Sequence, residues 1–262
     1  MTVIQNILNN NPLPQIEKEI LLAHVLKKDK SFLHAHSDYL LTNHQLTKYN
    51  SLTNRRLQGE PIQYLTNQAH FYGLEFFVDH RVLIPRVETE EMVELALEFI
   101  KNHPKATIVD VGTGSGNIII SLATHLPSDF KGKLFAIDVS IDALEVSVMN
   151  AQLHHLNFTG VRPQLSRVGD GPLIAFLHGN LLEPLKGQKA DLILANLPYV
   201  RDHLYGILDP QITWEPKVAI LGGDDGMKFY NELFKQLPKY LSPHGLVLYE
   251  VDGKVYERVI SS

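Results

Sequence analysis

The chain has 262 residues, of which 44% are hydrophobic and 20% charged, so it can bury a sizeable core in one large domain or two smaller ones. It has no cysteine, which excludes disulfides and thiol catalysis, and its formal net charge of −5 argues against nonspecific affinity for nucleic acid. It has neither an apolar run of about eighteen residues nor a signal-like amino terminus, so we expect a cytoplasmic protein without a membrane span.

The first part of the chain predicts a small helical domain. Apolar residues recur there at helical intervals, as at Ile16, Ile20, Leu21 and Val25. Strand signals are few before Gly59-Glu60-Pro61, where the proline disfavours helix at the residue before it. We therefore assign residues 1–68 to an N-terminal helical domain.

Two β-rich segments follow this domain. They are Phe71–Val78 and Val82–Ile84, and Asp79-His80-Arg81 separates them. This spacing predicts a β-hairpin over residues 69–87 that links two domains.

The remainder of the chain, residues 88–262, predicts an α/β domain. Early acidic residues and apolar residues at helical spacing indicate an amphipathic helix over Glu88–Lys101. The candidate strands that follow are Thr107–Val111, Lys133–Ile137, Leu173–Leu177, Asp191–Ala195 and Gly245–Glu250. The candidate helices are Ser115–His125, Ile141–Leu156 and Gly226–Tyr240, and polar Arg162–Gly171 is interpreted as a surface loop. Such alternation predicts a mainly parallel sheet with helices on both faces.

A glycine-rich stretch follows the first of these strands and opens a helix. It reads D-V-G-T-G-S-G-N from Asp110 to Asn117, and Asp138 ends the next strand. Glycines let the backbone turn sharply and let a ligand approach where a Cβ would clash. Asp138 is suitably placed to accept hydrogen bonds from both ribose hydroxyls of an adenosine. The alternative is a tight turn and a charge at a helix start.

The glycine spacing distinguishes between nucleoside cofactors. A dinucleotide fingerprint has its third glycine three positions after the second, whereas Gly112, Gly114 and Gly116 alternate. No Gly-Lys-Ser/Thr element is present to hold a triphosphate. D-x-G-x-G-x-G is the form typical of S-adenosylmethionine-dependent methyltransferases.

A second stretch, A-N-L-P-Y-V at residues 195–200, comes directly after the apolar strand end Leu192-Ile193-Leu194. Open α/β proteins keep their ligands at the carboxyl ends of parallel strands, so this stretch is either a site or a turn. With Asn196-Leu197-Pro198-Tyr199 on this strand, the chain resembles methyltransferases that modify a planar nitrogen, which include base exocyclic amines and side-chain amides.

Four further strings narrow the resemblance. They are G-E-P-I-Q-Y at 59–64, F-Y-G at 71–73, L-I-P-R-V-E-T-E at 83–90 and L-G-G-D-D-G at 221–226. In this order they resemble the signatures of the peptide chain release factor glutamine methyltransferases, over almost the whole chain. The string at 84–90 discriminates best, because the sister enzymes that act on a ribosomal-protein glutamine generally lack it.

The resemblance implies a Rossmann-like class I methyltransferase sheet with a small N-terminal helical domain and a linking β-hairpin. It implies methyl transfer from S-adenosyl-L-methionine, leaving S-adenosyl-L-homocysteine, to the glutamine N5 of the Gly-Gly-Gln motif of release factors. Release factors are then the protein partners, and we expect a monomer with no metal, no membrane and no direct nucleic-acid substrate.

The same resemblance implies three sets of site residues. The catalytic set is Asn196, Leu197, Pro198 and Tyr199. The cofactor set is Gly112, Thr113, Gly114, Ser115, Gly116, Asp138, Asn180, Leu181 and Asn196. The substrate set is the catalytic set together with Arg86 and Glu88.

Three departures from the family pattern stand out. Leu197 replaces the first proline of the usual N-P-P-Y, and Asn180 stands where an aspartate is common. The chain also stops at Ser262, where relatives continue through a last hairpin, and this leaves the completeness of the sheet open. Since the carbonyl of residue 197 belongs to the backbone, we expect function to persist with leucine there.

Three alternatives remain open. N-L-P-Y is also familiar from ribosomal RNA adenine dimethyltransferases, which favours an adenine N6-methyltransferase acting on RNA or DNA. The acidic net charge and the position of the helical domain, before the catalytic one, argue against it. The others are a ribosomal-protein glutamine methyltransferase and a cofactor-binding protein without catalysis.

Overall fold

The computed structural model describes residues 2–160, 166–169 and 171–259. The chain divides into two compact units, of which one comprises the chain up to Asn67 together with Pro210–Trp214 and the other comprises Gln68–Asp209 and the chain from Glu215. Half of the predicted surface loop Arg162–Gly171 lies outside the described residues, because 162–165 and 170 are not among them.

The first unit is helical, as the sequence predicts. Its described helices are α1 (Ile4–Asn10), α2 (Gln15–Leu26), α3 (Lys30–Ala35), α4 (Asn43–Leu57) and α5 (Ile62–Thr66). Leu21 and Leu22 of α2 pack with Tyr49 of α4 in one buried cluster. Ile16, by contrast, is 61% exposed, so the apolar periodicity of α2 begins after it.

The second unit opens with a short hairpin of β1 (Ala69–Phe71) and β2 (Leu74–Phe76), which pair antiparallel. The predicted strands Phe71–Val78 and Val82–Ile84 are wrong. Tyr72 and Gly73, with φ of 50° and 73°, form a two-residue turn inside the first predicted strand. Val82–Ile84 is not in a strand and leads instead towards the loop that precedes the next helix.

The rest of this unit alternates helices and strands. The helices are α6 (Glu90–Asn102), α7 (Asn117–His125), α8 (Ile141–Leu153) and α9 (Lys228–Tyr240). The strands are β3 (Thr107–Val111), β4 (Lys133–Asp138), β5 (Asn157–Thr159), β6 (Leu173–His178), β7 (Ala190–Ala195), β8 (Leu241–Val251) and β9 (Lys254–Val259). Helix α7 begins two residues later than predicted because Gly116, with φ of 81°, is left-handed and precedes the first helical residue.

In the described part of the chain these strands form one sheet in the order β5-β6-β4-β3-β7-β8-β9, parallel except for β9. Its two faces are covered by different helices, since Ile108 of β3 packs with residues of α6, α7 and α8 while Val109 packs with residues of α9. The mixed α/β fold with a mainly parallel sheet is therefore confirmed.

The last strand of the described sheet, β9, was not predicted from the sequence. Strand β8 turns at Asp252 and Gly253, with φ of 51° and 70°, into β9, which pairs antiparallel with it. The short edge strand β5 was also not predicted, because three residues carry too little pattern to mark a strand.

Strand β3 lies at the point where the strand order reverses. From β3 the chain passes to β4 on one side, and β7 pairs with β3 on the other. A reversal of this kind opens a crevice at the carboxyl ends of the strands, where open α/β sheets bind their ligands.

Candidate active site

A cavity of about 240 Å³ opens at the carboxyl ends of β3, β4, β6 and β7. Most of the predicted site residues line it: Arg86, Gly112, Thr113, Gly114, Ser115, Asp138, Asn180, Leu181, Asn196, Leu197 and Pro198. Gly116, Tyr199 and Glu88 lie outside this lining. The structure thus brings together eleven of the fourteen residues named from the sequence.

Residues 112–116, the glycine loop, cross the end of β4. The N–H groups of Gly112 and Thr113 both donate to the carbonyl of Ile137, at 2.8 and 3.0 Å. Gly112 has φ of 73°, and a Cβ there would lie 2.9 Å from Cδ2 of Leu197. Glycine is required at this position for its backbone conformation and for its close approach to the neighbouring loop.

Asp138 at the end of β4 is held by the main chain. Its Oδ2 accepts the N–H of Gly114 at 2.9 Å, and its Oδ1 accepts that of Ser140 at 2.8 Å. Burial raises the pKa of this carboxyl group, while the backbone hydrogen bonds from Ser140 and Gly114 oppose the shift. Each carboxylate oxygen retains a second lone pair with which to accept a ligand hydroxyl.

Asp110 is fully buried beneath the glycine loop. Its Oδ2 accepts the hydroxyl of Thr113 at 2.6 Å, and Oδ1 has no hydrogen-bond partner among the residues that the structure describes. Burial raises the pKa of Asp110 to about 7. The hydrogen bond from Thr113 opposes this shift, and the negative charge of Asp138 adds to it.

Residues 196–199, the acceptor loop, follow β7. The Nδ2 of Asn196 donates to Oγ1 of Thr89 at 3.0 Å. Both Thr89 and Asn196 also form side-chain hydrogen bonds with Glu250, whose carboxyl group is buried at the end of β8. Because the amide NH₂ of Asn196 is directed towards these partners, its oxygen, which lies in the same plane on the other side of the amide carbon, points away from them and can act as an acceptor.

The backbone of Leu197 contacts a buried phenol. Its N–H donates to the hydroxyl oxygen of Tyr230 at 2.9 Å, and its carbonyl oxygen lies 3.2 Å from the same hydroxyl. That hydroxyl also makes a short hydrogen bond to the carbonyl of Glu250. Tyr230 is on α9 and fully buried, and burial raises its pKa, so the phenol keeps its proton.

Arg86 and Tyr199 both make contacts outside the cavity. Arg86 forms an ion pair with Glu215 at 2.5 Å, and Glu215, which is buried, also accepts the N–H of Ile84 at 2.9 Å. Arg86 therefore fixes the backbone that leads to the cavity as well as lining it. Tyr199 packs towards the core beneath the sheet, and Phe229 is the aromatic residue in the cavity lining.

Sequence reasoning missed the side chains that support the site: Thr89, Tyr230 and Glu250 at the acceptor loop, and Glu215 at Arg86. Thr89 lies inside the string at 84–90, and Glu250 lies at the carboxyl end of a parallel strand. The positions of both residues in the sequence could therefore have indicated a place near the site. Tyr230 had none, because a helical tyrosine with apolar neighbours at helical spacing predicts core packing.

None of the helices within the described ranges is long and apolar enough to cross a membrane.

A family model described as the PrmC N-terminal domain matches residues 3–66. The release factor glutamine methyltransferase of Clostridium acetobutylicum is 35% identical over 238 residues, which cover 90% of this chain and 78% of that protein.

Two further relatives bear the same name. The release factor glutamine methyltransferase of Bacillus anthracis is 34% identical over 239 residues, covering 89% of this chain and 78% of the relative. That of Dictyoglomus turgidum is 35% identical over 249 residues, covering 94% of this chain and 81% of the relative. All three relatives are named as glutamine methyltransferases, so the alternative of an adenine N6-methyltransferase is not favoured.

The sheet reversal beside the glycine loop, with an acid ending the neighbouring strand, defines a Rossmann-like class I methyltransferase. Sequence identity of 34–35% over most of both chains identifies a particular family within this class of methyltransferases. The chain belongs to the release factor glutamine methyltransferase family.

Proposed function

We propose that this protein transfers a methyl group from S-adenosylmethionine to the side-chain amide nitrogen of the glutamine in the Gly-Gly-Gln motif of release factors. The observation that carries the proposal is the orientation of Asn196. Its NH₂ group is engaged by Thr89, so its oxygen is the group offered at the cavity edge. A primary amide substrate needs such an acceptor for its N–H.

The cavity has the chemistry that S-adenosylmethionine requires. Asp138 presents two anchored carboxylate oxygens for the ribose hydroxyls. Asn180 and the buried Leu181 suit the edge and face of the adenine, and the glycine loop lets the cofactor approach its backbone at Gly112 and Gly114. When bound, the cofactor supplies an electrophilic methyl group on a sulfonium.

The protein's task is to orient a weak nucleophile, because the lone pair of an amide nitrogen is delocalised into its carbonyl. Asn196 Oδ1 and the Leu197 carbonyl each accept one N–H of the substrate amide, which fixes the nitrogen and makes its lone pair more available. Such preorganised contacts stabilise the charge that develops in the transition state. Positioning of this kind can account for up to about 7–11 kcal/mol of the barrier.

Proton removal needs no strong base. Once the nitrogen–methyl bond has formed and the sulfur–methyl bond has broken, the methylated amide nitrogen carries a positive charge and is very acidic. It loses one proton to water and returns to a neutral secondary amide. This agrees with an acceptor loop that contains an amide, an aliphatic side chain, a proline and a phenol.

The remaining expectations complete the proposal. Residues 1–68 dock the protein substrate, residues 69–87 link the units, and residues 88–262 carry cofactor binding and chemistry. Arg86 and Glu88 contribute to substrate binding, Gly116 shapes the glycine loop, and Tyr199 lies beside the bound glutamine. The protein acts as a cytoplasmic monomer.

The test is methyl transfer from labelled S-adenosylmethionine to a purified release factor. We expect label in the factor and none in a matched factor whose motif glutamine is replaced by asparagine. Ribosomal protein and RNA serve as parallel substrates. Label in RNA alone would support the adenine alternative, label in ribosomal protein alone the sister activity, and cofactor binding without transfer the non-catalytic alternative.

A further inference from the structure

Leucine at position 197 gives the acceptor loop a backbone N–H that a proline would not have. This N–H is buried, and a buried donor without a partner is costly. It is satisfied by the hydroxyl of Tyr230 at 2.9 Å. The same hydroxyl lies 3.2 Å from the Leu197 carbonyl and bonds the carbonyl of Glu250.

We propose that Tyr230 is a positioning residue that fixes the main chain of Leu197 at its N–H, and thereby orients the carbonyl of the same residue, which receives the substrate amide. A phenol has one proton to donate and can accept at its oxygen. It accepts from the Leu197 N–H and donates to the Glu250 carbonyl, so it connects the acceptor loop to β8. Leu197 thereby regains a restraint that the ring of a proline would have supplied through a fixed φ.

The surroundings make this contact rigid. Tyr230 is fully buried, and its ring packs against those of Phe234 and Tyr249. On the other side, Leu197 is 4% exposed, and its Cδ2 would lie 2.9 Å from a Cβ at Gly112. With its side chain buried and its N–H bonded to Tyr230, Leu197 cannot change its φ, and so redirect its carbonyl, without breaking that hydrogen bond.

A double-mutant cycle tests this inference, which rests on the proposed function. We compare wild type, Tyr230→Phe, Leu197→Pro and the double variant, and measure kcat for the release factor at saturating S-adenosylmethionine. Tyr230→Phe leaves the Leu197 N–H unpaired, and we expect kcat to fall about tenfold or more. With proline at 197 no N–H is left unpaired, so the same change should cost less than about threefold.

Two controls separate positioning from general damage. Tyr240→Phe removes a phenol from the last turn of the same helix and should lower kcat by less than about twofold. The affinity for S-adenosylmethionine, measured by calorimetry, should stay within about threefold in Tyr230→Phe, since the expected effect is on kcat.

The outcomes are distinguishable. A wild-type protein that does not methylate the release factor overturns the proposed function, and this inference with it. An active wild type in which Tyr230→Phe lowers kcat equally with leucine or proline at position 197 overturns the inference alone. A kcat that is unchanged in Tyr230→Phe also overturns it.

Discussion

The glycine loop and the acceptor loop each lie above a buried carboxyl group, but they are built differently. Beneath the glycine loop, Asp110 at the end of β3 bonds Thr113 of the loop, only three residues further along the chain. Beneath the acceptor loop, Glu250 comes from β8 and bonds Thr89, which precedes α6, as well as Asn196. The carboxyl group beneath the glycine loop is thus bonded within one short motif, whereas the one beneath the acceptor loop joins three distant parts of the chain.

This difference separates two kinds of function. The glycine loop can bind its ligand through backbone groups whose conformation its glycines permit, and its N–H groups are anchored on the adjacent strand at Ile137 and Asp138. The acceptor loop must orient one amide oxygen and one carbonyl, and these directions depend on Thr89, Tyr230 and Glu250. We therefore expect substitutions in the glycine loop to act on binding and stability, and those around the acceptor loop to act on turnover.

The largest effect is expected for Asn196→Ala. It removes the oriented acceptor, and the loss of one preorganised contact to a transition state lowers turnover by about 10²–10³. Turnover is measured on the release factor at saturating S-adenosylmethionine, with circular dichroism to verify the fold. Full methylation by a folded Asn196→Ala protein would show that the acceptor loop is only a strand ending.

Asp110 gives a pH-dependent prediction for the glycine loop. Its pKa of about 7 in the folded protein lies above the unfolded value of about 4, so folding is penalised once the unfolded chain ionises. The contribution of Asp110 to stability should therefore be greatest below about pH 4, fall as the pH rises to about 7, and change no further above that. The loss is of the order of 2–4 kcal/mol.

Urea unfolding of wild type and Asp110→Asn between pH 4 and pH 8 measures this penalty. The neutral amide does not titrate, so the difference in unfolding free energy between the two proteins should shift in favour of Asp110→Asn as the pH rises to about 7. A difference that is constant over this range would contradict a raised pKa at Asp110.

Asp138→Ala should weaken S-adenosylmethionine binding by about 1.5–3 kcal/mol, the range for hydrogen bonds to a charged group. Calorimetry measures the affinity, and Glu183→Ala, at an exposed position away from the cavity lining, is a matched carboxylate control. Unchanged affinity in a folded Asp138→Ala protein would show that Asp138 does not bind the cofactor.

Features specified by local sequence could be predicted, whereas those formed by contacts between distant parts of the chain could not. Strand β3 and the glycine loop were predicted because periodicity and glycine spacing are local signals. Tyr230 was not, since its hydroxyl meets Leu197 only after α9 packs on the sheet. The hairpin of β8 and β9 was missed for a related reason: Lys254–Val259 is mostly exposed, so it carries no apolar pattern and is organised by pairing with β8.

The smallest effect tests whether the two loops support each other. Gly112→Ala and Gly114→Ala both place a Cβ on a left-handed residue, at φ of 73° and 56°, which costs roughly 1–2 kcal/mol in either case. Only the Cβ at 112 meets the other loop, 2.9 Å from Cδ2 of Leu197, whereas the nearest atom to a Cβ at 114 is 3.9 Å away. Gly112→Ala should therefore destabilise the protein by about 1 kcal/mol more in urea unfolding.

Removing the side chain of Leu197 shows whether the cost of Gly112→Ala comes from backbone strain at residue 112 or from the contact with Leu197. In a Leu197→Ala background the Cβ at residue 112 gains space, so the cost of Gly112→Ala should fall towards that of Gly114→Ala. The cost of Gly114→Ala should be the same in both backgrounds, because residue 197 does not lie near it. If Gly112→Ala costs equally much with leucine or alanine at 197, backbone strain alone explains the penalty. The two loops would then be energetically independent, and the close approach of Leu197 would have no part in holding the glycine loop.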